Sequence, residues 1–256
     1  MITYKTKEEI EILKEGGKRH AEILRALAEM VAPGVSTLVL EEEALRLIRA
    51  HGDKPAFLGY SPAGAARPYP ASLCVSINDE IVHGIPNEPG TILKDGDIVS
   101  LDLGLVHGGL ITDSAVTVAV GAIDDESRKL LHMTKLALEA GIKAAQPGNH
   151  IGDIGEAISD AIEGSGFTLA DDLAGHGVGY HVHEDPFVPN TGVAGEGEVL
   201  KPGMVIAIEP MLNVGGSSIK DADDGYTILT ADGSRSAHFE HTIAITEHGN
   251  IVLTRD

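Results

Sequence analysis

Asp102, Asp113, Glu209 and Glu240 are acids set inside runs that otherwise read as apolar strands. In an extended strand alternate side chains share a face, so Leu101, Leu103 and Leu105 point one way and Ser100, Asp102 and Gly104 the other. The same parity groups Glu209 with Ala207 and Val205, and Asp113 with Ile111 and Ala115. A single acid of this kind is ordinarily a residue on an exposed sheet face. Four brought together repel, and take up protons unless cations compensate them. Two divalent cations balance four carboxylates, so the pattern points to a dinuclear metal site. Asp102 and Asp113 flank Gly108-Gly109, as on two antiparallel strands joined by a hairpin with both acids toward one cavity. Histidine is the natural fifth ligand. His176 stands out because the glycines of Ala174-Gly175-His176-Gly177-Val178-Gly179 leave room beside its imidazole, although alone it would read as a loop histidine.

Composition narrows the chemistry. A single cysteine, Cys74, excludes an internal disulfide and a multi-cysteine zinc site, which leaves oxygen and nitrogen as metal ligands and agrees with a reducing compartment. A formal charge of −20 with no basic patch argues against nucleic acid as a partner. The apolar segments are short and broken by charges, and residues 1–10 carry no signal-peptide stretch, so a cytoplasmic protein without membrane spans is expected. At 256 residues, 43% of them hydrophobic, the chain can bury a full core as one large domain or two packed halves.

The elements that must position these residues repeat. Thr6-Lys7-Glu8-Glu9 is a capping-box pattern, followed by Ile10, Leu13, Ile23, Leu24 and Leu27 at helical spacing. Pro33-Gly34 ends that helix, and a second is predicted over 36–51 with Leu40, Ala44, Leu47 and Ile48 as its stripe. Residues 59–70 read as a Gly, Ala and Pro loop, and strands are predicted over 73–77, 98–106 and 111–120. Helices return over 124–145 and 154–162, then strands over 204–213, 226–229, 238–246 and 251–253. Residues 92–102 align without a gap with 199–209, each segment ending in a carboxylate, and Pro33-Gly34 corresponds to Pro147-Gly148. Residues 112–118 match 239–245 in the same way. One catalytic domain, 1–256, is expected, built from pseudo-repeat halves of approximately 1–122 and 123–256.

Five motifs carry a resemblance over essentially the whole chain: Asn78-Asp79-Glu80-Ile81-Val82-His83-Gly84-Ile85-Pro86; Leu101-Asp102-Leu103-Gly104 with Thr112-Asp113; Gly175-His176-Gly177-Val178-Gly179 with His183-Glu184-Asp185-Pro186; Ile208-Glu209-Pro210-Met211; and Phe239-Glu240-His241-Thr242. On these the chain resembles the type I methionine aminopeptidases of peptidase family M24, in their compact bacterial form. The resemblance implies the α+β pita-bread fold shared with creatinase and the prolidases, two pseudo-symmetric halves with antiparallel sheet covered by helices. It implies a hydrolase that removes the N-terminal initiator methionine from nascent proteins, preferring a small second residue. By motif position Asp102, Asp113, His176, Glu209 and Glu240 would hold two divalent ions (cobalt, manganese, iron or zinc), Asp113 and Glu240 bridging both. Glu209 would also move a proton, and His83 and His183 would contact substrate as catalytic groups. Cys74, Tyr60, Tyr69 and Tyr226 would line the methionine slot, where a thiol and aromatic rings suit a thioether. The expected partner is the N-terminal end of nascent polypeptides, with ribosome contact left open and a monomer expected. Residues 61–67 depart from the family pattern as extra length between Gly59-Tyr60 and Tyr69-Pro70. Three alternatives stay open: a proline-directed aminopeptidase of the same fold, a metal-free binding protein, and an acidic calcium-binding module.

Overall fold

The computed structural model describes residues 1–62 and 64–255. The extra length expected over 61–67 therefore includes Ala63, which lies outside the described residues. The first half runs α1 (Lys7–Met30), α2 (Thr37–Ala50), β1 (Lys54–Pro55), β2 (Leu73–Ile77), β3 (Glu80–Val82), β4 (Ile98–His107) and β5 (Leu110–Ala119). The second runs α3 (Asp125–Ala144), α4 (Ile151–Ile162), β6 (Thr168–Leu169), β7 (Ala174–Gly177), β8 (Glu184–Pro189), β9 (Val205–Ile208) and β10 (Met211–Asn213). It closes with β11 (Ile219–Asp221), β12 (Ile228–Thr230), β13 (Ser236–His238), β14 (His241–Thr246) and β15 (Gly249–Val252). This is the mixed α+β arrangement expected, with antiparallel strand pairs under helices. Among the described residues no helix is long and apolar enough to cross a membrane.

Local chemistry starts the helices where the sequence signals them. Thr6 caps α1 reciprocally with Glu9: the threonine hydroxyl accepts from Glu9 N and the Glu9 carboxylate accepts from Thr6 N at 2.7 Å. Ser36 accepts from Leu38 N ahead of α2, and Asp124 accepts from Ser127 N ahead of α3. Each helix pair buries one stripe on its own sheet. Ile23, Leu27, Leu40 and Ile48 pack with Leu73, Val75, Leu101 and Leu103. Leu130, Leu138, Ile154 and Ile158 pack with Ile206, Ile208, Ile243 and Ile245. A third apolar cluster, including Cys74, Tyr69, Ile111, Val182 and Val205, lies on the opposite faces of the same strands. Strand parity thus sends the leucines of β4 under the helices and Asp102 away from them.

β4 and β5 form a hairpin turned at Gly108-Gly109, whose φ values of 56° and 86° are the left-handed pair that a two-residue turn requires. In the other half the main sheet runs β15-β14-β9-β7-β8. The two sheets meet along β5. Glu240 N donates to Ala115 O at 3.0 Å, Asp113 N donates to Thr242 Oγ1 at 2.8 Å, and Ser114 Oγ donates to Glu240 O at 2.7 Å.

Two expected strands are interrupted. The run over 204–213 breaks at Glu209-Pro210, between β9 and β10, and that over 238–246 breaks at Phe239-Glu240, between β13 and β14. Pro210 has no N–H to continue a ladder, and at both breaks the chain changes sheet, from the large one to the small one of order β13-β10-β6 at Glu209-Pro210 and back to the large one at Phe239-Glu240. The predicted strand over 226–229 is displaced to β12, leaving Tyr226 ahead of it.

One buried acid couples α2 to the strand that carries Cys74. The Glu41 carboxylate accepts from Ser72 N at 2.8 Å, Leu73 N at 2.9 Å and Ser72 Oγ at 2.9 Å. Truncation at Glu41 strands two buried amides. Glu41→Ala is expected to lower stability by about 2–4 kcal/mol, seen as a fall in Tm of roughly 5–15 °C. Glu41→Gln keeps an acceptor and is expected to fall less. Equal melting of the alanine variant and the parent would refute this coupling.

Candidate metal centre and substrate cavity

The register of β4 on β5 pairs Asp102 with Ala115 and Gly104 with Asp113, so the two aspartates occupy one face two positions apart. Cys74 pairs with Asp102 from the other side and shares that face. Glu209 and Glu240 arrive from the two strand breaks, where the chain leaves the pleat and turns a carboxylate inward. Asp102, Asp113 and Glu240 are buried, and the Glu209 side chain retains 12% exposure.

His176 lies on β7, in a strand rather than the open glycine loop its sequence resembles. The neighbouring glycines serve close packing: a Cβ at Gly175 would lie 2.2 Å from Ala207 O, and one at Gly177 2.2 Å from Asp185 O. His176 Nδ1 is 2.9 Å from the Gly177 carbonyl, which can only accept, so the ring proton sits on Nδ1 and Nε2 presents a lone pair. That Nε2 is 3.3 Å from Glu209 Oε1 and 4.0 Å from Asp113 Oδ2. Ligand atoms of Asp113, His176 and Glu240 all lie within 4.8 Å of one another.

The electrostatics of this cluster are those of a cation site. Burial drives Asp102 up to about 7 and Glu209 up to about 8. Burial and then the neighbouring carboxylates hold Asp113 and Glu240 well above the usual carboxylate range. Asp102 Oδ1 and Asp113 Oδ1 are buried without a hydrogen-bond partner. Burial lowers His176 to about 3, which keeps its imidazole neutral and able to ligate. Orphaned carboxylate oxygens beside a neutral nitrogen donor fit hard or borderline divalent cations.

All the remaining residues singled out from sequence line the same cavity of 860 Å³: His83, His183, Tyr60, Tyr69, Cys74 and Tyr226. His183 stands at the mouth with its ring centroid 4.4 Å from that of His176, and Tyr60 Oη lies 2.8 Å from His183 Nδ1. His83 is held at φ 62°, and burial lowers its pKa to about 4. Tyr69 and Tyr226 meet edge to face at 5.1 Å, and burial keeps the Cys74 thiol protonated. Phe57, outside the motifs, and Met211, within one but given no role there, add further apolar lining.

Sequence reasoning also missed His238. It is fully buried on β13 with both ring nitrogens unpartnered, its Nε2 3.6 Å from Glu209 Oε2 and 4.0 Å from Glu240 Oε2. Its position two residues before Glu240 was the available signal, since in the continuous strand expected over 238–246 parity would put both on one face.

Fold and site together define a metal-dependent peptidase of the pita-bread class. The profile described as Metallopeptidase family M24 matches residues 11–247. Methionine aminopeptidase from Aquifex aeolicus is 47% identical over 251 residues, covering 97% of each chain. The crystal structure of methionine aminopeptidase from Thermotoga maritima superposes with a TM-score of 0.95 at 43% identity, covering 100% of both chains. Prolidase from Pyrococcus furiosus shares the fold, with a TM-score of 0.74 at 24% identity over 99% of this chain and 65% of that one. The chain belongs to metallopeptidase family M24 and, within it, to the methionine aminopeptidases.

The raised carboxylates make the stability of the metal-free chain depend on pH. Asp102 and Glu209 titrate at about 7 and about 8 when folded, against ordinary values of 3.8 and 4.5. Between these values the native state holds protons that the unfolded chain has released, so stability falls as pH rises. Histidines kept neutral by burial, such as His176, give the opposite slope only below their ordinary 6.5. In metal-stripped protein Tm is therefore expected to fall from roughly pH 6.5 to 8.5, and the Tm gain on adding Mn²⁺ to grow over the same interval. A flat profile would remove the electrostatic case for a cation site.

Proposed function

We propose that this chain removes the initiator methionine from nascent polypeptides whose second residue is small, by hydrolysis at a dinuclear metal site. The observation that carries the reading is the convergence of four buried carboxylates and a neutral imidazole on the floor of a cavity whose side wall is apolar and aromatic. Asp102, Asp113, His176, Glu209 and Glu240 would hold the two ions. Divalent cations bound there supply Lewis-acid polarisation of a peptide carbonyl and an acidified water for attack. Cobalt, manganese, iron or zinc suits four carboxylates and one imidazole, and cellular supply decides among them.

The chain's own groups do the rest. With Tyr60 Oη donating to His183 Nδ1, the second ring nitrogen carries a proton and can donate to the carbonyl oxygen as negative charge develops on it. His83, uncharged at neutral pH, is placed to contact the scissile amide nitrogen. Glu209 would take the proton released in the attack. Cys74, Tyr60, Tyr69 and Tyr226 receive the methionine side chain. The thiol stays protonated and acts as a polarisable wall rather than a nucleophile. We read the chain as one catalytic domain of two pseudo-repeat halves, a cytoplasmic monomer that meets its substrate at nascent N-termini, with ribosome contact as a further candidate interaction.

The test is release of free methionine from Met-Ala-Ser and from an Xaa-Pro peptide by metal-stripped protein, with and without Mn²⁺, Fe²⁺, Co²⁺ or Zn²⁺. Metal-dependent cleavage of Met-Ala-Ser alone is expected, and cleavage of the proline peptide would redirect the assignment to a prolidase activity. His83→Ala and His183→Ala are expected to lower kcat on the order of 100-fold while metal affinity is retained. A loss confined to metal affinity would contradict their assignment to substrate.

A further inference from the structure

The segment ahead of α1 carries a lysine with no exposed side-chain surface. Lys5 Nζ lies 2.7 Å from Glu184 Oε2, and their side chains are 0% and 3% exposed. Both ends are fully occupied. Lys5 Nζ also donates to Thr3 Oγ1 and stands 4.8 Å from the Tyr180 ring centroid. Glu184 Oε2 takes a further hydrogen bond from Thr3 Oγ1, while Oε1 accepts from Tyr180 N and from His181 N, the latter at 2.9 Å. The acid therefore organises the amides of the turn that ends at His183, its immediate neighbour. Lys5 is tied to the body of the protein through its own amide, which donates to Gly203 O at 2.7 Å, and Gly203 N donates to Ile245 O.

The turn is shaped around the lysine. Gly179, at φ 136°, comes so near that a Cβ there would lie 2.3 Å from Lys5 Cε. Gly179 O in turn accepts from Ile111 N at 2.7 Å, two residues before Asp113. His183 thus sits between a turn fixed by Glu184 and the hydroxyl of Tyr60.

We propose that the buried Lys5 and Glu184 pair is a positioning device for His183, holding its imidazole at the reacting carbonyl. The inference rests on the reading of His183 as a substrate-contacting group. A buried ion pair is a weak source of stability, because desolvation offsets its attraction. Here its hydrogen bonds are directed at the amides of one cavity-lining turn. A displacement of about 1 Å at such a group costs about 100-fold in rate.

The experiment is a double-mutant cycle on the full chain loaded with saturating Mn²⁺, measuring kcat and KM for Met-Ala-Ser, Mn²⁺ affinity by calorimetry, and Tm. Lys5→Met is expected to lower kcat about 10- to 100-fold, with KM and Mn²⁺ affinity within about twofold. In the His183→Ala background the same change is expected to lower kcat by less than about twofold, while its effect on Tm persists. A purely structural role for Lys5 would give the same fold-loss in both backgrounds, and that result overturns the proposal. A parent-level kcat for His183→Ala alone overturns the role of His183 and the clamp with it, so the two failures are distinct. Should Lys5→Met not fold, Thr3→Val removes one hydrogen bond from the same carboxylate. It is expected to show the same non-additivity with His183→Ala at a smaller amplitude, and multiplicative losses there also overturn the proposal.

Discussion

Mutual repulsion among buried carboxylates is the constraint on which this structure is organised. Asp102 and Asp113 come from one hairpin and Glu209 and Glu240 from two strand breaks in the other half, so no local segment can form the cluster alone. Closing it places like charges in a medium that solvates them poorly, and protons or cations must enter as the halves join. The seam along β5 is accordingly polar and fully specified. Asp113 exchanges two hydrogen bonds with Thr242, and Ala115 and Glu240 exchange backbone hydrogen bonds. These contacts fix the spacing of the acids against their repulsion, while the two helix-covered cores supply the apolar burial that keeps the sheets intact.

The hairpin half of the site was legible because its logic is local. A period of two, a Gly-Gly turn and two acids of matching parity determine which face they share, and the register bears this out at Asp102, Ala115, Gly104 and Asp113. Helix starts were legible for the same reason, since Thr6 with Glu9 and Asp124 with Ser127 are contacts within one turn. The other half was less so. Parity in the run over 204–213 presumes a continuous strand, yet Glu209 reaches the cavity because the chain leaves the pleat before Pro210. That departure is set by the change of sheet, a tertiary event with no periodic signature.

Lys5 and His238 mark a further limit. Nothing around Lys5 in sequence distinguishes it from the solvated lysine that follows at position 7, and its partner Glu184 lies in the other half of the chain. In a continuous strand His238 would share a face with Glu240, but whether such a face turns toward solvent or toward carboxylates depends on the strands stacked on it. Polar groups buried by long-range packing are invisible to local pattern because the pattern records only what one strand or helix can arrange.

The two imidazoles facing each other at 4.4 Å show how little of a histidine's role lies in its residue type. His176 spends Nδ1–H on a main-chain carbonyl, which leaves Nε2 as a bare lone pair turned to the carboxylates. His183 has Nδ1 against a phenol, and when that phenol donates, the remaining nitrogen is a proton donor turned to the cavity. On the proposed reading one ring is a ligand and the other an oxyanion donor, although both are kept uncharged by the protein packed around them. The difference comes from the carbonyl of the next residue, Gly177, turned to one ring, and from a tyrosine in the other half reaching the second. Division of labour between chemically identical side chains is therefore a property of the packing that encloses them.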